Sequence, residues 1–158
     1  STRVRSSAAS DVYKRQIDDL VRNHVQCLLG PTVGGKGKIE ARNKTFEAGQ
    51  ILENAGITFG LITDAPFVPI EGQLLQAALY VKNGLSREMA LKCLTINNAI
   101  ITDIDSRVGS LEPGKDADVV IWDVEPLATL SQVGIVIIDG QIAYRRKAGE
   151  SNVDYQKL

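Results

Sequence analysis

The sequence predicts an α/β protein in which a parallel pair of strands, covered by helices, is followed by a small antiparallel β region. Three observations predict it. Gln26-Cys27-Leu28-Leu29 and Ile57-Thr58-Phe59-Gly60-Leu61-Ile62-Thr63 are apolar without polar alternation, as strands covered on both faces are. A loop and a helical stretch separate them, which is the crossover that parallel pairing needs. The last third then changes to short strands joined by turn residues, ending in a hairpin.

The elements follow in order. Ile17, Leu20, Val21 and His24 share helical spacing and read as the tail of an amphipathic helix. The first strand, Gln26 to Leu29, stops at Gly30-Pro31, and a glycine-rich loop runs from Gly30 to Lys38. A helix over Lys44–Asn54 meets a glycine stop at Ala55-Gly56. The second strand stops at Asp64-Ala65-Pro66. A helix over Glu71–Asn83 places Leu74, Leu75, Ala78 and Leu79 on one face, Ser86 caps a helix through Leu94, and a short helix covers Ile96–Ile101. Glu112-Pro113-Gly114-Lys115 suits a type II turn, Ala117–Trp122 is a strand, and Ile135–Tyr144 is a hairpin turning at Asp139-Gly140. Two parallel strands alone leave unpaired edges, so a larger sheet is expected to surround them.

Composition narrows the class. With 158 residues, 44% apolar, the chain can bury a core, which excludes a disordered tail. No apolar run reaches the roughly 18 residues of a membrane span, so no membrane segment is expected. A net charge of −1 offers no basic surface for nucleic acid. Cys27 and Cys93 lie in apolar runs without framework or metal spacing, which predicts buried, reduced thiols in a cytoplasmic protein. Residues 1–16 are basic and serine-rich without periodicity. Ser6 to Gln16 resembles the translation of a sequencing-library transposon adapter, and the lone methionine is Met89. This stretch is expected to be disordered and foreign to the fold, and the remainder to be the C-terminal fragment of a longer protein.

Several motifs carry candidate chemistry. Asp64 follows an apolar strand directly, at the end where α/β sheets gather their catalytic groups, although an aspartate there also suits a turn. Gly30-Pro31-Thr32-Val33-Gly34-Gly35-Lys36 fits a phosphate-cradling loop, but Gly37 stands where a magnesium-binding hydroxyl belongs. A nucleotide-binding module using Gly30–Lys36 is therefore an alternative, as is a non-catalytic domain. Within Gly30–Asn43, Thr32 and Arg42 are candidate substrate contacts. His24, the single histidine, sits on a predicted helix and receives no role. Asp116, Asp118 and Asp123 read as turn and strand-edge hydrogen-bonding groups, and Arg145-Arg146-Lys147 as a solvated basic run.

The stretch Gly109-Ser110-Leu111-Glu112-Pro113-Gly114-Lys115-Asp116-Ala117-Asp118-Val119-Val120-Ile121-Trp122-Asp123 closely resembles the C-terminal signature of the amidohydrolase superfamily. Gly84-Leu85-Ser86-Arg87-Glu88-Met89-Ala90-Leu91 and Thr95-Ile96-Asn97-Asn98-Ala99 look like the segment after that family's barrel, with Asn98 in place of a proline that would stiffen a turn. Leu61-Ile62-Thr63-Asp64-Ala65-Pro66 is similar to the final barrel strand with its aspartate, and imidazolonepropionase-like members are the subgroup most resembled.

The resemblance implies the C-terminal part of a (β/α)8 TIM barrel over residues 17–105, with Gln26–Gly30 and Ile57–Thr63 as its last two strands. A small β-sandwich segment would cover 106–146, and a tail 147–158. It implies a divalent metal, zinc as one or two ions, with Asp64 as ligand and general base. It also implies hydrolysis of a C–N bond other than a peptide bond in a small cyclic amide or amidine. The family's His-x-His pair, its strand-four lysine or glutamate and its two later histidines have no counterpart here. The chain alone is thus expected to be inactive and to bind metal weakly. Its expected partners are a small-molecule substrate and the missing N-terminal barrel portion, with a homo-oligomer also allowed.

Overall fold

The computed structural model describes residues 14–33 and 45–147, which divide after Ser110 into two compact units. In the first, the order is α1 (Lys14–Arg22), β1 (Cys27–Leu29), α2 (Glu47–Asn54), β2 (Phe59–Leu61), α3 (Gly72–Lys82), α4 (Arg87–Leu94) and α5 (Ile96–Thr102). Helix α1 begins at Lys14, so Lys14–Gln16 belong to a helix rather than to a stretch outside the fold; residues 1–13 lie outside the described residues. His24 falls beyond α1, exposed and at φ 51°, in the turn that leads to β1.

β1 and β2 pair in parallel, with Cys27 opposite Phe59 and Leu29 opposite Leu61. Both are shorter than the apolar runs that predict them, at three residues each. The ladder stops because the chain leaves the strand conformation at Gly30 (φ 132°) and the next residue, Pro31, has no N–H to give. Leu29, Leu52, Phe59, Leu61, Ala77, Tyr80 and Cys93 are almost wholly buried around the pair. Each of the large apolar side chains contributes on the order of 2 kcal/mol by leaving water.

The helices are fixed to this pair by polar side chains. Ser86 caps α4 by accepting from Met89 N at 3.1 Å, and Glu53 of α2 accepts from Ser86 N at 2.9 Å and from its hydroxyl. That carboxylate at a helix N-terminus also favours the helix dipole. Cys27 N donates to Thr58 O and Ile62 N to Leu29 O, so the backbone groups of Phe59 and Leu61 face away from β1. Their carbonyls are not bare. Phe59 O accepts from Asn97 Nδ2 at 2.8 Å and Cys93 Sγ at 3.1 Å. Leu61 O accepts from Gln73 Nε2 at 2.7 Å and Asn98 Nδ2 at 3.1 Å. The expected raw edge of β2 is thus capped on its carbonyls by side chains of α3, α4 and α5. Asn98 stands in the first turn of α5, not in a loose turn, and its amide reaches the strand.

The second unit holds β3 (Val119–Trp122), β4 (Val133–Ile138) and β5 (Gln141–Arg145) in one antiparallel sheet of that order. Asp139 and Gly140 turn the hairpin with φ 50° and 73°, the two positive values of a type I′ turn. Gly114 at φ 91° and the bond from Lys115 N to Glu112 O at 3.2 Å fit the predicted type II turn. Val120, Ile121, Ile138 and Ile142 of this sheet are exposed.

Two glycines test the packing of the strand pair. A Cβ on Gly30 would lie 2.1 Å from Ile62 O, a backbone atom that cannot move aside, and φ is already 132°. A Cβ on Gly60 would lie 1.8 Å from Asn98 Oδ1, which can swing away at the cost of its amide's bond to Leu61. Urea unfolding should therefore show Gly30→Ala costing more than about 3 kcal/mol and Gly60→Ala about 1–3 kcal/mol. The Gly60→Ala cost should shrink in an Asn98→Ala background, and equal costs in both backgrounds would refute the assigned clash.

The thiols give a pH signature. Cys27 and Cys93 are free and buried, as the sequence predicts. Burial pushes Cys27 up from 9.0 to about 11 and Cys93 to about 12. Above pH 9 the unfolded chain releases these protons while the folded chain keeps them, so stability is whole below pH 9 and falls as pH rises through 11 to 12. Urea midpoints at pH 8 and 10.5 should reveal a loss on the order of 2 kcal/mol for each thiol. Cys27→Ala and Cys93→Ala should each flatten that slope.

Candidate functional site

The site is built where β1 and β2 end. After Leu61 the chain stays extended through Ile62 and the buried Thr63, then turns at Asp64. Asp64 takes φ 55°, a left-handed conformation that aspartate tolerates better than most residues. Phe67 N donates to Asp64 O at 2.9 Å, closing a four-residue turn over the cis Ala65–Pro66 peptide. The backbone of Asp64 is thereby pinned while its side chain is exposed. Among the described residues none bonds its carboxylate, which leaves it open toward solvent. Val68 is buried and anchors the loop, whereas Phe67 and Ile70 project outward at 61% and 71% exposure.

Thr32, on the loop after β1, is held differently. It is buried; its N–H donates to Gln76 Oε1 at 2.9 Å, and its hydroxyl is hydrogen-bonded to the Tyr80 hydroxyl. Both groups expected to meet a substrate thus face α3. Tyr80 also packs its ring edge-on against Phe46, with centroids 5.2 Å apart. It therefore touches residues on both sides of the segment 34–44. Burial pushes the Tyr80 phenol well above its usual range, and its hydrogen bond to Thr32 pulls the other way. Arg42, Gly34, Gly35, Lys36 and Gly37 lie outside the described residues.

The face of α3 differs from the one the leucines predict. Gln76, Ala77 and Tyr80 are buried, and Leu75 is 57% exposed. The reason is polar: carbonyls at the end of β2 need donors, and Gln73 and Gln76 turn inward to supply them. Sequence reading gave these glutamines no role, and it noted Asn98 for a turn rather than for its bond to Leu61 O. Polar residues inside an otherwise apolar helical face were the signal available.

The acidic groups of the second unit are spent on structure, as predicted. Asp118 Oδ1 accepts from Asp139 N at 2.8 Å, and Asp123 Oδ1 from Gln132 N at 2.9 Å. The Gln132 N–H, followed by Arg146, holds the Asp123 carboxyl below its ordinary range. Arg146 is not simply solvated, since its guanidinium reaches Asp123 Oδ2 at 3.2 Å and Gln132 Oε1. Among the described residues, no three His, Cys, Asp or Glu side chains are placed to hold a metal ion together, and no helix is long and apolar enough to cross a membrane.

Comparison with known proteins bears on this geometry. An amidohydrolase tasK from Hapsidospora irregularis is 34% identical over 103 residues, 65% of this chain and 10% of that protein. An imidazolonepropionase from Picrophilus torridus is 49% identical over 41 residues, 26% of this chain and 10% of that protein. The crystal structure of an amidohydrolase from Thermotoga maritima superposes with a TM-score of 0.83 at 33% identity, covering 91% of this chain and 37% of that one. The chain thus spans about a tenth of these curated relatives' length and little more than a third of the solved structure's. The model of the amidohydrolase family matches residues 17–143, and this chain belongs to that family.

Proposed function

We propose that this chain supplies the last two strands of a (β/α)8 barrel and part of a small β-sandwich to a hydrolase acting on a C–N bond, other than a peptide bond, of a small cyclic amide or amidine. The observation that carries the reading is Asp64: an exposed carboxylate on a pinned turn, three residues past the carboxyl end of a buried parallel strand. That is where parallel α/β folds place their chemistry. Family membership supports hydrolysis, and the imidazolonepropionase relative supports a cyclic substrate.

The chain's own part is proton handling. Asp64 accepts the proton of the attacking water and delivers it to the departing nitrogen, one carboxylate serving as base and then as acid. One carboxylate without neighbours of ligand type does not make a metal centre, and the described residues supply no such cluster. In this reading Asp64 is one ligand, and the others come from elsewhere in the whole protein. A divalent ion, zinc here, present singly or as a pair, would lower the pKa of water from 15.7 to about 7 and polarise the scissile carbonyl. The chain by itself would then be inactive and bind the ion weakly. The proposed setting is a cytoplasmic protein, with a small-molecule substrate and the preceding barrel portion as the partners of this segment.

The test uses the full-length gene product supplied with zinc, assayed against hydantoin, 5,6-dihydrouracil and guanine. Ring opening or deamination of one of these is expected. Asp64→Asn should lower its kcat by at least about 10³-fold, with the melting temperature nearly unchanged. No turnover of any of the three, or near-normal turnover by the Asp64→Asn protein, overturns the reading.

A further inference from the structure

The ladder between β1 and β2 should continue past Leu29. Cys27 N donates to Thr58 O and Ile62 N to Leu29 O, so the next rung of a parallel pair would run from the N–H of residue 31 to Ile62 O. Residue 31 is proline, and that donor does not exist. Gln76 fills the gap from α3. Its Nε2 donates to Ile62 O at 3.1 Å, and its Oε1 accepts from Thr32 N at 2.9 Å. A side-chain carboxamide has the donor and acceptor of a peptide group, and here it is inserted between the two strand ends as one. Gln76 is fully buried. Gly30 leaves room for the arrangement, since a Cβ there would meet Ile62 O at 2.1 Å and Gln76 Nε2 at 3.0 Å.

We infer that Gln76 is a positioning residue for Asp64: by replacing the rung that Pro31 cannot form, its carboxamide fixes the backbone two residues before the turn that presents the carboxylate. This rests on the reading of Asp64 as the proton acceptor. Gln73, bonded to Leu61 O, holds the preceding carbonyl but spans no gap between strands. Gln76 joins the segments leaving both β1 and β2 through one carboxamide.

Two substitutions separate positioning from packing. Gln76→Glu keeps the shape and an acceptor for Thr32 N, and it loses the donor to Ile62 O once its carboxyl ionises, which burial against that carbonyl moves to higher pH. Gln76→Met fills similar volume and loses both. Hydrogen exchange on the 158-residue chain reads the result without any activity. In Gln76→Met, the N–H groups of Thr32 and of Phe67, which closes the Asp64 turn, should exchange at least tenfold faster. In Gln76→Glu, Thr32 should stay protected throughout, while Phe67 loosens to the same degree above the pH at which the carboxyl ionises. Unchanged Phe67 protection in both variants overturns the inference, as does equal loosening of Thr32 in both, which is what lost packing alone produces. If Gln76→Met does not fold, the Gln76→Glu pattern decides by itself.

The second arm uses the full-length gene product and whichever of hydantoin, dihydrouracil and guanine it turns over. Gln76→Met, and Gln76→Glu above the pH at which its carboxyl ionises, should reduce kcat at least tenfold with KM within about twofold, because a misplaced base slows the reacting step more than it weakens binding. Raised KM with normal kcat overturns the inference. Full activity of Asp64→Asn in the same assay removes the parent reading instead, so the two failures are distinct.

Discussion

A strand pair buried on both faces must satisfy its last backbone groups without water, and the structure around β1 and β2 depends on how this is done. An unpaired buried carbonyl costs roughly 1–3 kcal/mol, and the ends of the two strands present several. Side-chain amides answer most of them. Asn97 and Asn98 reach Phe59 O and Leu61 O from α5, while Gln73 and Gln76 reach Leu61 O and Ile62 O from α3. Each of these bonds fixes a helix to the strand pair as well as satisfying a carbonyl. The helices are therefore positioned by directional contacts along with apolar packing, which is non-directional.

The same constraint shapes the strand ends. Because the loop after β1 opens with Gly30 and Pro31, the ladder lacks its next rung at residue 31, and the carboxamide of Gln76 bridges Ile62 O and Thr32 N there. The chain after β2 then turns at Asp64. The turn is then held by the main chain, through Phe67 N and Asp64 O, so the carboxylate is not used in building it. Asp118 and Asp123 show the opposite arrangement, with their oxygens occupied by backbone N–H groups of neighbouring turns. At Asp123 these donors hold the carboxyl below its ordinary range, which leaves it less capacity to accept a proton in a reaction.

Much of this was legible in the residues, for identifiable reasons. Apolar runs without alternation mark covered parallel strands, Ser86 marks the start of α4, and Asp139-Gly140 marks the hairpin, because each depends on local chemistry alone. What was hidden depended on tertiary demand. Leu74, Leu75, Ala78 and Leu79 indicate an apolar face on α3, yet Gln76 and Tyr80 are buried and Leu75 is exposed, since the strand ends require donors at that place. Thr32 has the character of a loop hydroxyl open to a ligand, but its partner Tyr80 is 48 residues away and no local pattern reveals it. His24 shares the helical spacing of Ile17 and Leu20, but the helix ends at Arg22 and the chain turns at positive φ. At the candidate site, Asp64 could be placed from its strand alone, whereas Gln73, Gln76 and Asn98, which hold the carbonyls of Leu61 and Ile62 before it, lie on helices the strand does not predict.

The exposure of Phe67 and Ile70 beside Asp64 follows from the same geometry. In the segment Phe67-Val68-Pro69-Ile70, Val68 turns inward and is buried, which leaves Phe67 and Ile70 on the outer side. Under the proposed function, a small cyclic molecule settling on Phe67 and Ile70 would exclude water from the exposed side chain of Asp64. Free of ligand, the same group stays hydrated, as its exposure shows. In that reading, water would leave the site as the substrate arrives. The exclusion would come from two apolar side chains on a turn whose backbone is already fixed.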